Sequence, residues 1–375
     1  MSEPLPVALI GTGARSATVY APLLKGMVDL VRLVSVWGRT PSSAEALGKR
    51  LGVPWYTDLD RLIRDTKPLV AIVCVSSAAN GKIGRAVVER GLHVLLETPI
   101  AADLREADAI IEEAHRRNVV VEVAEQFHRR PLEQLKLRLI ASGIFGRVYA
   151  AFNDFAGHGY HGVSVLRSYL GFDKKPASVV GVVRDFPLID HYSQIEGRLG
   201  PRTETQEHGI IEFVTGEIGI FHWTSVGYDS ALRWWRSSRF LAEKGMGITT
   251  GIGLHGVEQL SLLAPDGGAP QFITVERVLE RCDGGALVAL KAHTGDPSNP
   301  VVIWENRFAR GPKGTNPQWH DDEIGVAGCI VSLIDAVQSG RAPTYGAEQA
   351  RLDQEIVIAI KRSAAEGGTA FHLPI

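Results

Sequence analysis

The stretch Pro6-Val7-Ala8-Leu9-Ile10-Gly11-Thr12-Gly13-Ala14-Arg15-Ser16 decides the fold. An apolar run stops at a glycine and a helical segment comes next. Gly11 permits a tight turn, and Gly13 lets backbone come close to a pyrophosphate. The next helix would then turn its unpaired N–H groups and positive dipole end toward that anion. Ser16 holds the place where a Gly or Ala is usual; it is still small enough for close helix–strand contact. A short glycine turn after a strand also occurs without any ligand, so the surrounding pattern has to carry the inference.

Beyond that turn, Val31 to Trp37 is a second strand, rich in Val and Leu as buried parallel strands are. Leu69 to Val75 is a third, His93 to Leu96 a fourth, and Val119 to Ala124 a fifth. Helices are expected over 14–25, 43–51, 57–64, 80–90 and 102–117. Such alternation predicts a parallel sheet covered on both faces, with ligands at the C-terminal strand ends. Gly11, Arg39, Ser76, Glu97 and Gln126 all fall on that edge. Ala14, Arg15, Ser16, Thr40, Asn80 and Thr98 stand beside them, which completes the candidate cofactor set. The expected cofactor is NAD, with NADP left open. Arg39 and Thr40 come after the second strand and suit a 2′-phosphate, but Arg39 would equally stack on adenine with NAD bound.

The chain has 375 residues, 22% of them charged, and a formal net charge of -2. That balance gives no reason to expect a nucleic-acid or membrane partner. The three cysteines, Cys74, Cys282 and Cys329, lack metal spacing and suit a reducing compartment. The start of the chain has no basic, apolar leader, so a cytoplasmic protein is expected.

At Glu97-Thr98-Pro99 the chain resembles the Gfo/Idh/MocA oxidoreductases. Gly11-Thr12-Gly13 also matches, as do Gln126-Phe127-His128-Arg129-Arg130-Pro131 and Ile144-Phe145-Gly146-Arg147-Val148. The resemblance implies an N-terminal Rossmann-type parallel sheet and a C-terminal α/β domain on a large open, mainly antiparallel sheet. It also implies an active site between the two and a homo-oligomer. The domains are expected at 1–125, binding dinucleotide, and 126–375, binding substrate and partner copies. The family's turn is usually Glu-Lys-Pro, whose lysine helps to move the substrate proton. Here that position is Thr98, which does not titrate near neutral pH. The family's Asp-x-Gly-x-His-x-x-Asp becomes Gly157-His158-Gly159-Tyr160-His161-Gly162-Val163-Ser164, without either carboxylate.

His158, Tyr160 and His161 are the candidate catalytic residues, because imidazole suits acid–base work at neutral pH. The structural alternative is that one of the histidines caps a helix and Tyr160 packs in the core, which fits His158 and Tyr160 better than His161. In the second domain, strands are expected over 177–183, 207–213 and 217–223 and in several later segments, with helices over 163–170, 324–338 and 347–366. Asp185 to Arg202 reads as a loop. Arg233, Trp234 and Arg236 would line a sugar site or an interface. Trp319 and His320 complete the candidate substrate set, with Asp321 or Asp322 as the cap of the following helix. No metal site is expected.

Three functions compete. The leading expectation is an NAD-dependent glycoside hydrolase, which oxidises a sugar transiently, eliminates the aglycone, adds water and returns the hydride. Its substrate would be an anionic glycoside such as a sulfoquinovoside. The resemblance suggests this branch through the missing lysine and the histidine segment. The alternative is an NAD(P)-dependent dehydrogenase or reductase of a sugar or cyclitol, and the third is a non-catalytic nucleotide-binding regulator.

Overall fold

The computed structural model describes residues 3–154, 157–226, 229, 236–251, 257–264, 268–280, 285–309 and 318–375. Contacts divide the chain into two compact units. The first comprises Met1–Arg129, Glu280–Ala286 and Arg307–Arg351; the second comprises Arg130–Leu279, Leu287–Asn306 and Leu352–Ile375.

The first unit is built on a six-stranded parallel sheet. Its strands are β1 (Leu5–Ile10), β2 (Val31–Trp37), β3 (Trp55–Tyr56), β4 (Val70–Val73), β5 (His93–Leu96) and β6 (Val121–Val123), in the order β3-β2-β1-β4-β5-β6. The chain runs outward from β1 on one side and returns to β4 on the other. This reversal opens a crevice beyond the C-terminal ends of β1 and β4. All four residues of β4, and Val7 to Ile10 of β1, are buried, as expected for strands covered on both faces. A distant helix, Asp321–Ser339, adds Val326, Ala327, Cys329, Ile330, Leu333 and Ile334 to this core.

The helix expected over 14–25 is divided. Residues Ser16–Tyr20 form a π turn, in which the Ala21 N–H reaches back to the Ser16 carbonyl, and Ala21–Gly26 continues as an α-helix. Pro22 explains the change: it has no N–H to donate, and in an α-helix its ring would press on the Thr18 carbonyl.

The second unit carries an open eleven-stranded sheet. Its strands are β7 (Val148–Asp154), β8 (Pro176–Ser193), β9 (Arg198–Phe213), β10 (Ile218–Thr224), β11 (Ser237–Ala242), β12 (Gly245–Thr250), β13 (Val257–Leu262), β14 (Gln271–Leu279), β15 (Leu287–His293), β16 (Val301–Glu305) and β17 (Phe371–His372). Their order is β16-β15-β14-β13-β12-β11-β7-β10-β9-β8-β17, antiparallel except where β7 meets β10. Glycine sets how close the helices come. A Cβ at Gly181 would lie 2.0 Å from the Ile360 carbonyl oxygen, and one at the facing Gly209 would lie 2.5 Å from Ile360 Cδ1.

The loop expected at 185–202 is corrected. These residues form the far half of a long β8–β9 ladder, in which Asp185 faces Thr205 and Thr205 Oγ1 donates to Asp185 Oδ1 at 2.7 Å. Backbone pairing builds this arm with little burial, and Ile189 at its far part is 83% exposed. A strand that covers no core leaves no apolar alternation to read. Among the described residues no helix is long and apolar enough to cross a membrane.

Candidate functional site

The crevice at the switch point has a volume of about 540 Å³. Gly11, Gly13, Ala14, Arg15, Arg39, Thr40, Ser76, Glu97 and Thr98 line it, so most of the expected cofactor set meets there. Gly11 and Gly13 differ in kind. Gly11 has φ +120°, and a Cβ on it would stand 2.0 Å from the Cys74 carbonyl oxygen, so the fold itself demands glycine. A Cβ on Gly13 would meet nothing within 4 Å. The space over Gly13 therefore lies open at the start of the helix, which is the cradle a pyrophosphate requires.

Three expected residues stand behind the wall. Ser16 is fully buried and donates to the Cys74 carbonyl at 3.2 Å. Asn80 is also fully buried, and its Nδ2 donates to the Glu97 carbonyl and, at 2.7 Å, to that of Pro99. Asn80 thus shapes the turn that carries Thr98. Gln126 is buried as well.

One carboxylate organises the far side. Glu97 accepts from Arg15 Nε and from Tyr20 Oη at 2.7 Å, and its other oxygen accepts from the Thr98 N–H at 3.1 Å. Tyr20 comes from the widened π turn that Pro22 imposes. Burial, and then Glu97, raise the Tyr20 hydroxyl well above its ordinary value, so it stays protonated as a donor. Burial also pushes the Cys74 thiol up to about 11, so it is a neutral lining group. Sequence reasoning missed Trp37 and Ser43, which also line the crevice. The signal for Ser43 was available, since it stands one helical turn after Thr40.

The histidine segment belongs to the second unit, where it starts the helix Gly159–Leu170. His158 is the residue before the helix, Gly159 has φ +46°, and His161 is buried. The rings pack closely at steep angles. Centroids are 4.8 Å apart for His158 and His161, 5.8 Å for His158 and Tyr160, and 4.5 Å for Tyr160 and His161. Burial first, then the neighbouring His161, Arg236 and Lys361, lower His158 to about 3. It is therefore a neutral imidazole at physiological pH. Asn153, which sequence reasoning missed, fixes the turn: it accepts from the Gly157 N–H at 2.9 Å and donates to the Gly157 carbonyl at 3.0 Å.

Of the substrate candidates, Arg233 and Trp234 lie outside the described residues, and Arg236 is buried. His320, rather than Asp321 or Asp322, caps the helix Asp321–Ser339. Its side chain accepts from the Glu323 N–H while the Glu323 carboxylate accepts from the His320 N–H. Trp319 packs against Phe308 and over Gly26, where a Cβ would come within 2.6 Å of its ring.

Residues 5–125 match the model of the Gfo/Idh/MocA oxidoreductase family with an NAD-binding Rossmann fold. The chain is 30% identical over 151 residues to the D-glucoside 3-dehydrogenase of Escherichia coli K12, covering 40% of this chain and 42% of the relative. It is 29% identical over 116 residues to the myo-inositol 2-dehydrogenase of Thermotoga maritima, covering 31% and 34%. These matches span only about a third to two fifths of the relatives' length. The fold of the whole chain matches that of an NAD-binding oxidoreductase from Klebsiella pneumoniae, with TM-score 0.73, 17% identity and full coverage of both chains.

These findings correct the leading expectation. The family is one of oxidoreductases, and both relatives named above are dehydrogenases. A glycoside hydrolase working by elimination is overturned. Thr98 in place of lysine, and the loss of both motif carboxylates, therefore do not carry the hydrolase reading against these matches.

Proposed function

We propose that the chain is an NAD(P)-dependent oxidoreductase interconverting a hydroxyl and a carbonyl on a sugar or cyclitol. The observation that carries this reading is the open cradle over Gly13, set at the switch point of a sheet that matches the family model. The relatives' action on a glucoside and on myo-inositol supports the substrate class.

A nicotinamide held in this crevice would supply the hydride acceptor. The remaining work falls to the chain. The helix start at Ala14 and Arg15 receives the pyrophosphate charge. Glu97 holds Arg15 and the Thr98 N–H in fixed positions beside the crevice. Thr98 has no group that titrates near neutrality, so the hydroxyl proton goes elsewhere. In this reading His161 takes it, and Tyr160 and His158 fix the imidazole ring by packing against it. Self-association is part of the same proposal. Val182, Ile210 and Ile218 share one face of the second sheet and are 40%, 47% and 42% exposed, an apolar surface that a second copy would cover.

The test is a panel of aldoses, methyl glycosides and cyclitols with stoichiometric NAD+ or NADP+. One reduced cofactor per sugar oxidised, with any glycosidic bond intact, is the expected result. Failure to reduce either cofactor with every member of the panel would remove the substrate class.

A further inference from the structure

We propose that the first unit holds a second small-molecule site, at the opposite end of β2 from the crevice. It takes a small amphipathic anion, a hydrocarbon body carrying one carboxylate. This inference does not depend on the oxidoreductase reading.

Two helices beside β2 stop early, and the gap they leave is the site. The helix Ala21–Gly26 ends where Gly26 meets Trp319; a Cβ there would come within 2.6 Å of the ring. The Leu30 and Val31 N–H groups then donate to the Met27 carbonyl, each at 2.9 Å, which turns the chain into β2. Val28, in that turn, is left 52% exposed. The helix Pro41–Leu51 ends at Gly52, whose φ of +70° favours glycine, and the Val53 N–H returns to the Gly48 carbonyl at 3.1 Å. Arg50 Nη2 donates to the Ala17 carbonyl at 2.5 Å, so the second helix is tied to the segment that leads into the first.

The cavity so framed has a volume of about 380 Å³, within the roughly 300–1,000 Å³ range of small-molecule sites. Leu24 and Val31 are buried and form its floor. Leu33, Leu51 and Val53 line it from partly buried positions, and Val28 stands at its edge. This is apolar surface that a hydrocarbon body would take out of water.

The charge beside that surface is of one sign. Lys25 and Arg32 line the same cavity and are exposed, and neither side chain has a hydrogen-bond or ion-pair partner among the described residues. No carboxylate is among the described residues that line it. Nearby surface cations differ: Lys49 pairs with Glu45 at 2.8 Å, and Arg85 with Glu89 at 3.0 Å. A ligand carboxylate would accept from both Lys25 and Arg32, whereas an alcohol would leave their charge to water and an ammonium would be repelled. The two cavities share no lining residue, since this one borders the first residues of β2 and the crevice borders Trp37 at its end. Occupants of the two are therefore compatible.

The experiment titrates the full chain calorimetrically with octanoate, 1-octanol and octylammonium, each below its micellar concentration and at low salt. Octanoate is expected to fill one site with a dissociation constant on the order of 0.1 to 1 mM, the scale for about ten non-hydrogen atoms. It should bind at least about fivefold more tightly than octanol, with octylammonium weaker still. Lys25→Gln combined with Arg32→Gln should bring octanoate to the octanol level and leave octanol within about twofold. Val28→Trp fills the edge of the cavity from a position already in solvent. It should weaken octanoate by about tenfold or more and leave thermal unfolding unchanged. Saturating NADH should leave the octanoate titration as it was. No saturable octanoate binding, octanol binding as tightly as octanoate, or octanoate binding unaffected by Val28→Trp each overturn the proposal. Displacement of octanoate by NADH overturns it too, by placing the anion in the crevice, and leaves the oxidoreductase reading intact.

Discussion

Two glycine-framed turns, each leading from a strand into a helix, do opposite things. After β1, Gly11 is jammed against the Cys74 carbonyl while Gly13 faces open space. After β7, a Cβ on Gly157 would lie 2.8 Å from the Gly162 nitrogen and from His161 Cβ, and one on Gly162 would lie 2.5 Å from Asn153 Nδ2. The first turn uses glycine to leave room for a ligand. The second uses it to fill the room with the chain's own rings. Each is tied by one polar side chain, Glu97 in the first and Asn153 in the second. A binding cradle is therefore made of backbone, whereas the proposed acid–base group depends on which side chain stands beside it.

The contrast is most exposed inside the first turn. Gly11→Ala drives a methyl into the Cys74 carbonyl at a φ that L-residues avoid. It should destabilise the chain by about 3 kcal/mol or abolish soluble expression. Gly13→Leu should unfold at the wild-type urea midpoint and lose dinucleotide binding by roughly 100-fold or more, a loss of about 2.7 kcal/mol. If Gly13→Leu binds normally, the cradle lies elsewhere.

The second turn is tested through its chemistry. His161→Gln should lower turnover by ~10²-fold, the scale of a lost general base, with dinucleotide affinity unchanged. Turnover close to wild type would make the ring cluster structural. A smaller effect is expected at the carboxylate of the first turn. Glu97→Gln keeps the shape but removes the charge that faces Arg15. Because the Arg15 side chain is partly exposed, the loss of stability should be about 1 to 2 kcal/mol. A chemical-denaturation midpoint identical to wild type would show that Glu97 contributes nothing to the wall.

The backbone half of this molecule is legible in its sequence because it repeats a physical pattern. Apolar strands ending in Gly11, Gly38, Ser76 and Glu97 place one sheet edge and its crevice. The side-chain half is less so. His320 as a cap and Trp319 over Gly26 depend on a helix folding back onto a core formed some three hundred residues earlier. The β8–β9 arm has ladder pairing without an apolar face. Thr98 and the Gly157–Ser164 segment suggest a change of reaction, whereas the family model and the relatives that match are those of oxidoreductases. Sequence shows that a lysine is missing. It does not show that Glu97 gathers Arg15, Tyr20 and the Thr98 N–H at the same turn.

Acid separates the two turns more gently. His158 is lowered from its ordinary 6.5 to about 3, chiefly by burial and then by His161, Arg236 and Lys361. Between those values the unfolded chain holds a proton that the folded chain does not. Stability from this group is therefore complete above pH 6.5 and is lost as pH falls toward 3. The residues lining the crevice include no histidine, so acid should act on the ring cluster first. His158→Gln cannot titrate, and its stability should fall less steeply on acidification. Between pH 6 and 5 the difference should amount to about 1 kcal/mol, since one pH unit is worth at most ~1.4 kcal/mol for one proton. Urea unfolding of both proteins at the two pH values measures it. Parallel losses would mean that His158 is protonated in the folded chain, and that the cluster presents a cation where burial calls for a neutral ring.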